Sequence, residues 1–285
     1  MKPLARLTDP TTDKLFAGAI TGPGAPQVLS HGLCAARVLD TAACGFPPHP
    51  PGSIQTGVAD VLIHGLPATG VMDTVVCGAQ ITVGSPMVLI GGAAVTIPLN
   101  IQGSEDFVKK AQAAVATLYG TATGRKIFAD IAASGHLITV VPTTDKNGYC
   151  DSDFDPLNGA QTPGKGVGST VRWNPDHPAQ GLAGDPHGSA VLLGHELVHA
   201  HHNATGTNGN GPEDSYPGQS GSSSRGEERK TVGCAGGTIT QPNGAPATVP
   251  DHSLDVPTEN SLRRELGLPL RPTYYPPRWP GGAPW

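Results

Sequence analysis

Two histidines stand four positions apart in the segment HELVH (195–199), and a glutamate follows the first of them. Histidines at this spacing on a helix lie on one face, roughly 6 Å from each other, so both imidazoles can bind one metal ion. A zinc ion there would lower the pKa of a bound water to about 7, and the adjacent carboxylate could accept that water's proton. We therefore predict a catalytic zinc site with His195 and His199 as ligands and Glu196 as general base. The alternative, two histidines on a solvated helix face, fits poorly because the flanking residues are apolar.

A catalytic zinc needs a third protein ligand and one open position. The best candidate segment is GEERKTVG (226–233), although its two adjacent carboxylates could also form an exposed acidic turn. Two segments resemble the zinc core of clostridial neurotoxin light chains, and still more closely that of short bacterial effector metallopeptidases injected by type III systems: HELVHAHHNATG (195–206) and EERKTVG (227–233). The resemblance implies Glu228 as the third zinc ligand and Glu227 as a carboxylate beside it.

A further segment extends this resemblance over about residues 100–275: ENSLRRELGLPLRPTY (259–274). It contains an Arg-x-x-Tyr pair that is similar to the neurotoxin pair stabilising the tetrahedral intermediate. The resemblance thus implies that Arg271 and Tyr274 stabilise a developing oxyanion. It implies proteolysis as the reaction and leaves the substrate open.

An internal repeat fills most of the first hundred residues. The copies are GAPQVLSHGLCAARVLDTAACG (24–45), GVADVLIHGLPATGVMDTVVCG (57–78) and a shortened third, GSPMVLIGGAAVTIP (84–98). Short apolar runs flanked by glycine predict β-hairpins, which must stack on one another to bury their apolar faces. The repeat therefore predicts a small domain of stacked hairpins.

The repeat frame resembles PAAR-repeat proteins, the small conical tips on the spike of the bacterial type VI secretion apparatus. That resemblance implies a structural metal at the apex, with Cys44, His49 and Cys77 as the candidate ligands. The alternative is a set of buried thiols and a loop histidine. A spike tip would also give the chain a means of delivery.

Helices and strands alternate in the prediction for the rest of the chain. Ser104 can cap a helix over 105–120, because acidic residues stand in its first turn and apolar residues recur at helical spacing. Further elements are a helix over 124–134, strands over 136–142 and 169–175, a helix from about residue 186 or 188 containing HELVH, and a short helix over 259–267. Residues 143–167 are predicted as loop. We expect residues 203–226, which lack large apolar side chains, to form a long mobile loop or a disordered insert.

The composition excludes several classes of protein. The 285 residues include 39 Gly and 29 Pro, too many for helices throughout, yet a hydrophobic fraction of 37% allows a sizeable core. A net charge of −5 lacks the basic footprint of a nucleic-acid binder, and no apolar run approaches the ~18–20 residues that span a bilayer.

The N-terminal segment lacks the apolar stretch of a secretory signal peptide, so we expect export by another route. Five scattered cysteines favour reduced thiols over a disulfide framework.

Together, the residues and the resemblances predict an α+β chain of two domains. A conical β-hairpin domain is expected over residues 1–98, and an α+β zincin-like domain, with its mobile loop, over residues 99–285. The expected protein is a type VI secretion effector, made in the bacterial cytoplasm and delivered into a target cell, where its zinc endopeptidase domain cleaves a protein. Expected partners are a VgrG-like spike trimer, the protein substrate and an immunity protein or chaperone, without nucleic acid or a membrane span. The alternatives are a structural spike tip with a non-catalytic extension, and a zinc enzyme acting on the cell wall or another amide.

Overall fold

Short antiparallel strands make up the N-terminal third of the chain. The computed structural model describes residues 1–13, 16–43, 50–153, 159–209, 222–240 and 246–272. The strands of the first third are β1 (Lys2–Pro3), β2 (Pro10–Asp13), β3 (Phe16–Gly22), β4 (Ala25–Ser30), β5 (Leu33–Ala35), β6 (Thr41–Ala43), β7 (Gly52–Ser53), β8 (Thr56–Ile63), β9 (Leu66–Ala68), β10 (Gln80–Ile81), β11 (Leu89–Ile90) and β12 (Ala94–Thr96). They form a five-stranded sheet in the order β10-β2-β3-β6-β7, a three-stranded sheet in the order β12-β8-β9, and the pairs β4-β5 and β1-β11.

The two full copies of the repeat form the hairpins β4–β5 and β8–β9. Their turns contain His31 and His64, which have left-handed φ angles of 54° and 50°. The shortened third copy does not form a hairpin of its own, because β11 pairs with β1 and β12 pairs with β8. Our prediction of a hairpin in that copy is wrong, since the start of the chain supplies its second strand. The three pairings share one register: Leu29↔Cys34, Leu62↔Pro67 and Leu89↔Pro3.

A closed ring of backbone hydrogen bonds joins the three repeat units. The Ala5 N–H donates to Thr69 O (2.9 Å), the Ala36 N–H to Ala5 O (2.9 Å), and the Thr69 N–H to Ala36 O (3.3 Å). Ala5, Ala36 and Thr69 are each followed four positions later by an aspartate. The carboxylate of that aspartate accepts a 2.7 Å hydrogen bond from the backbone N–H three positions before it, in the pairs Arg6–Asp9, Arg37–Asp40 and Gly70–Asp73. The N-terminal part is thus built around an approximate three-fold arrangement.

A four-stranded sheet begins the second part of the chain, in the order β13-β14-β16-β15. Its strands are β13 (Leu99–Ile101), β14 (Ile138–Pro142), β15 (Tyr149–Ser152) and β16 (Ser169–Trp173). The pairs β13–β14 and β14–β16 are parallel, whereas β15 runs antiparallel to β16 at the edge. The strands predicted over 136–142 and 169–175 are confirmed as β14 and β16. The loop predicted over 143–167 is wrong in part, because it contains β15 and a 3-10 turn at Gly159–Gln161.

Five helices cover this sheet and each other within the described residues. They are α1 (Glu105–Tyr119), α2 (Ala122–Ser134), α3 (Gly188–Thr205), α4 (Ser222–Val232) and α5 (Glu259–Glu265), and a hairpin of β17 (Gly237–Thr240) and β18 (Pro246–Val249) lies between the last two. The predicted cap of α1 is confirmed, because the Ser104 side chain accepts the Phe107 N–H. The predicted end of α2 is also confirmed, since Gly135 takes the left-handed conformation there, with φ of 76°. None of the helices in the described ranges is long and apolar enough to cross a membrane.

The loop predicted over 203–226 is wrong at both ends. Residues 203–205 complete α3, and residues 222–226 form the first turns of α4. Residues 210–221 lie outside the described residues. The low apolar content of this segment suggested a loop, but helix α4 is fixed by the contacts of its carboxylates with α3 rather than by an apolar stripe.

The two parts of the chain share one hydrophobic core. Val38, Leu39 and Leu66 from the N-terminal part pack in the same buried cluster as the apolar faces of α1, α2 and α3. A polar network lies at this junction: Gln112 of α1 accepts from Arg37 Nη2 at 2.9 Å and donates to Leu39 O at 2.9 Å. Because apolar and polar contacts cross the predicted boundary at residues 98 and 99, we expect the two parts to unfold together.

Candidate metal centre

Helix α3 places His195, Glu196 and His199 beside one another in the protein interior. Fifteen of its 18 residues are buried, which follows from its apolar sequence. Gly194 allows α5 to approach, since a Cβ at that position would lie 2.6 Å from Leu262 Cδ1. The helix therefore brings the HELVH side chains against two other helices rather than into solvent.

Three ligand atoms converge between α3 and α4. His195 Nε2 and His199 Nε2 lie 3.2 Å apart, and Glu228 Oε2 is 3.1 Å from the first and 3.3 Å from the second. Ligands bound at ~2.0–2.1 Å with tetrahedral geometry are about 3.3–3.4 Å apart, so the triangle has the size that a zinc ion requires. Two imidazole nitrogens with lone pairs repel each other at this distance unless a proton or a cation lies between them. The donor set therefore fits a metal ion, and these three residues form the candidate metal site among the described residues.

The charges around the triangle also favour a bound cation. Burial lowers the pKa of His195, but its hydrogen bonds with Glu228 and Glu259 outweigh this and raise the pKa to about 9. Burial would raise the pKa of Glu228, yet the hydrogen bonds from His195 and His199 hold it well below its usual range. A metal ion can replace the proton that these groups attract, so metal binding should release protons.

Glu259 of α5 fixes the orientation of the first histidine. Its Oε2 lies 2.8 Å from His195 Nδ1, so an N–H on Nδ1 donates to it and leaves the Nε2 lone pair for a metal. The buried carboxylate also accepts from Arg263 Nε (2.6 Å) and Arg271 Nη1 (3.0 Å). Burial alone would raise the pKa of Glu259, but the hydrogen bond from His195 and the nearby cations lower it to about 2.

Glu259 had no predicted role, although it stands in the short helix predicted over 259–267. Its partner His195 is 64 positions away in the chain. The available signal was a glutamate four positions before Arg263 in a segment otherwise matched to the neurotoxin pattern. That spacing predicts an ion pair between Glu259 and Arg263 within one helix, but it does not reveal that Glu259 also contacts His195.

Glu227 holds the second histidine in the same way. Its Oε1 lies 3.2 Å from His199 Nδ1 and 2.6 Å from His202 Nδ1, and its Oε2 accepts the Gly209 N–H at 2.6 Å. The Thr231 hydroxyl lies 3.1 Å from His199 Nδ1 as well. Glu227 therefore contacts the ligand's outer nitrogen rather than the triangle, and it ties α4 to the end of α3.

Glu196 lies beside the triangle and is almost fully buried. Burial raises its pKa above the usual value, despite the opposing charges of His195 and His199. Gly148, just before β15, packs closely against it, because a Cβ at that position would lie 2.8 Å from Glu196 Cγ. The side chain is therefore confined next to the candidate ligand atoms.

A cavity of about 880 Å³ opens onto these side chains. Its lining includes the segment 146–150 leading into β15 and residues of the loop around 177–183. The lining also contains His195, Glu196, His199, Glu228 and Arg271. Arg271 lines the same cavity as the three candidate ligands, whereas its predicted partner Tyr274 lies outside the described residues.

The predicted N-terminal metal site is only partly described. Cys44 and His49 lie outside the described residues, while Cys77 is partly buried and packs against an apolar cluster of the hairpin domain. Within the described ranges, no group of three ligand residues other than His195, His199 and Glu228 comes together. The apex metal therefore stays a prediction.

Comparisons with known families agree with both halves of the chain. Residues 96–274 match the Peptidase_M91 family, described as an effector protein, and residues 45–97 match the PAAR motif. The first match covers more than half of the chain. A search of curated proteins gave no match. The protein therefore belongs to the Peptidase_M91 effector family and carries a PAAR motif in front of its peptidase domain.

Proposed function

We propose that this protein is a zinc-dependent endopeptidase carried as the payload of a type VI secretion spike tip. The observation that supports it most strongly is the triangle of His195 Nε2, His199 Nε2 and Glu228 Oε2, with mutual distances of 3.1–3.3 Å, in the lining of a large cavity. Two imidazoles and one carboxylate leave an open side, as catalytic zinc sites do. The Peptidase_M91 match supports a peptidase, and the PAAR motif supports the spike tip.

A zinc ion in this site would polarise the substrate carbonyl and lower the pKa of the attacking water. Glu196 would accept a proton from a water in the cavity and pass it to the leaving amine, and its burial-raised pKa suits both steps. Arg271, held by Glu259, directs positive charge to the cavity and stabilises the oxyanion. Glu259 and Glu227 keep the two histidines in the tautomer that leaves Nε2 for the metal.

The edge strand β15 supports a peptide substrate. It is the last strand of its sheet, and its first residues line the cavity beside Glu196. The backbone groups on the open side of an edge strand can pair with an extended peptide. We propose that the substrate lies along β15, with its scissile bond over the metal site.

Three equivalent leucines support attachment to a spike. Leu29, Leu62 and Leu89 are 60%, 51% and 56% exposed, and they occupy the same register in the three repeat units. A surface that repeats three times complements the end of a trimer. We propose that these leucines contact a VgrG-like spike trimer.

Binding to the purified spike trimer tests the attachment. Changing all three leucines to glutamate should abolish co-migration in gel filtration. The control is Val83→Glu, an exposed valine outside the equivalent positions, which should leave binding intact. Retained binding of the triple variant would place the spike contact elsewhere.

Proteomics of new N-termini tests the peptidase proposal. Wild-type and Glu196→Gln proteins, each loaded with one zinc, are incubated with a target-cell lysate. Wild type should create a reproducible set of new N-termini that the variant does not. Equal sets, or none with wild type, would refute the proposed activity.

A further inference from the structure

The charged groups lining the cavity divide into two sets. Glu196 and Glu228 belong to the metal site, and Arg271 is held by Glu259. Apart from Arg271 and the candidate ligands His195 and His199, the basic side chains in the described lining are Lys146 and His177. No acidic side chain outside the metal site lines the cavity in the described part of the chain. Outside the metal site, the charged and basic side chains of the described lining are therefore Arg271, Lys146 and His177.

A hydrogen bond joins the loops that carry Lys146 and His177. Asn174 Nδ2 donates to the backbone oxygen of Asp145 at 3.1 Å, next to Lys146, and the backbone oxygen of Asn174 accepts the His177 backbone N–H at 3.3 Å. Asn174 is buried, so it fixes one loop against the other. A lysine ammonium and an imidazole N–H that line one cavity can bind a single carboxylate.

The acidic neighbours of these loops are engaged elsewhere. Asp176 pairs with Lys110 at 3.0 Å, and the Asp145 carboxylate accepts from Thr143 Oγ1 at 3.2 Å. The exposed Lys146 makes no ion pair with any described carboxylate. Its ammonium is consequently available to a ligand in the cavity.

We infer that Lys146 and His177 form a subsite for an acidic side chain of the substrate. The inference rests on the proposed peptidase function and names its substrate class: peptides with Asp or Glu near the scissile bond. Lys146 stands two positions before Gly148, which packs against Glu196, and two residues span at most about 7 Å. Since an extended peptide advances about 3.3 Å per residue, the acid should fall within about three positions of the cleaved bond.

Paired peptide libraries test the inference with the full-length, zinc-loaded protein. The two libraries are identical except that Asp in one replaces Asn in the other at a single position. Wild type should cut the Asp library about two- to fivefold faster than the Asn library, and this preference should fall with rising ionic strength. Lys146→Glu should remove or reverse it, and His177→Gln should weaken it. The matched control, Lys165→Glu, changes an exposed lysine outside the cavity and should keep the preference.

Binding provides a readout that does not depend on cleavage. The Asp and Asn libraries are bound to the zinc-loaded Glu196→Gln protein, and their retained fractions are compared by mass spectrometry. Preferential retention of the Asp library, lost with Lys146→Glu, supports the inference. Equal retention, or equal cleavage of both libraries by wild type, overturns it. Failure of wild type to cut any peptide refutes the peptidase proposal, and the binding result still decides whether the acidic subsite exists.

Discussion

Replacing Glu259 with glutamine should weaken both the metal site and the fold. The substitution keeps the shape of the side chain but removes a fully buried negative charge that faces His195, Arg263 and Arg271. Loss of a partner that orients a metal-bound histidine typically lowers metal affinity by about 10- to 100-fold, or about 1.4–2.8 kcal/mol. Arg263 is only 2% exposed, so its charge would be left uncompensated in the interior, which costs about 3–5 kcal/mol.

Two measurements separate these effects. Competition with a chromophoric chelator gives the zinc affinity, and urea unfolding of the zinc-free protein gives the free energy of unfolding. The control is Glu265→Gln, the same change on the same helix, where the carboxylate caps α2 instead of contacting the site. The control should lose about 1 kcal/mol of stability and none of the zinc affinity. If Glu259→Gln matches this control in both measurements, the assigned role of Glu259 is wrong.

Three further substitutions test other parts of the structure. Gly148→Ala would place a Cβ 2.8 Å from Glu196 Cγ, so kcat should fall about 10- to 100-fold while zinc affinity stays unchanged; unaltered kcat would contradict the packing. Gln112→Ala should lower the free energy of urea unfolding by about 1–3 kcal/mol within a single transition, and two separate transitions would refute the shared core. Burial would raise the pKa of Glu265, but hydrogen bonds from Thr123 and the α2 backbone outweigh it and hold the pKa below 4.5. The ionised Glu265 therefore stabilises the fold above the usual pKa of a glutamate, and this stabilisation is lost as pH falls through the lowered pKa. The unfolding temperatures of wild type and Glu265→Gln should thus differ at neutral pH and converge in acid.

Local patterns predicted three helices of the second part of the chain, including the helix that carries His195 and His199. The helix α1, its Ser104 cap and the end of α2 at Gly135 follow from capping residues and apolar spacing, which act within a few positions. His195 and His199 could be paired because a helix fixes their separation. Their placement on one face of a helix was readable from the sequence for the same reason.

Contacts between distant segments could not be read in this way. Glu228 entered the site only through a family resemblance, because nothing in its own spacing places α4 against α3. Glu259 and Gly148 act across three-dimensional contacts with residues 64 and 48 positions away. The partner of the third repeat copy lies at the chain start, where PLARLTD (3–9) matches CAARVLD (34–40) and PATGVMD (67–73). That match was present in the sequence, but a search for consecutive copies passes over a unit divided between the two ends of a domain.

The metal site itself admits the most direct measurement. Crystals of the full-length protein with zinc, measured at the zinc absorption edge, should give one anomalous peak between α3 and α4. We expect it at ~2.0–2.2 Å from His195 Nε2, His199 Nε2 and a Glu228 carboxylate oxygen, with an open position toward the cavity. A peak that excludes Glu228, or zinc bound only at other residues, would contradict the account.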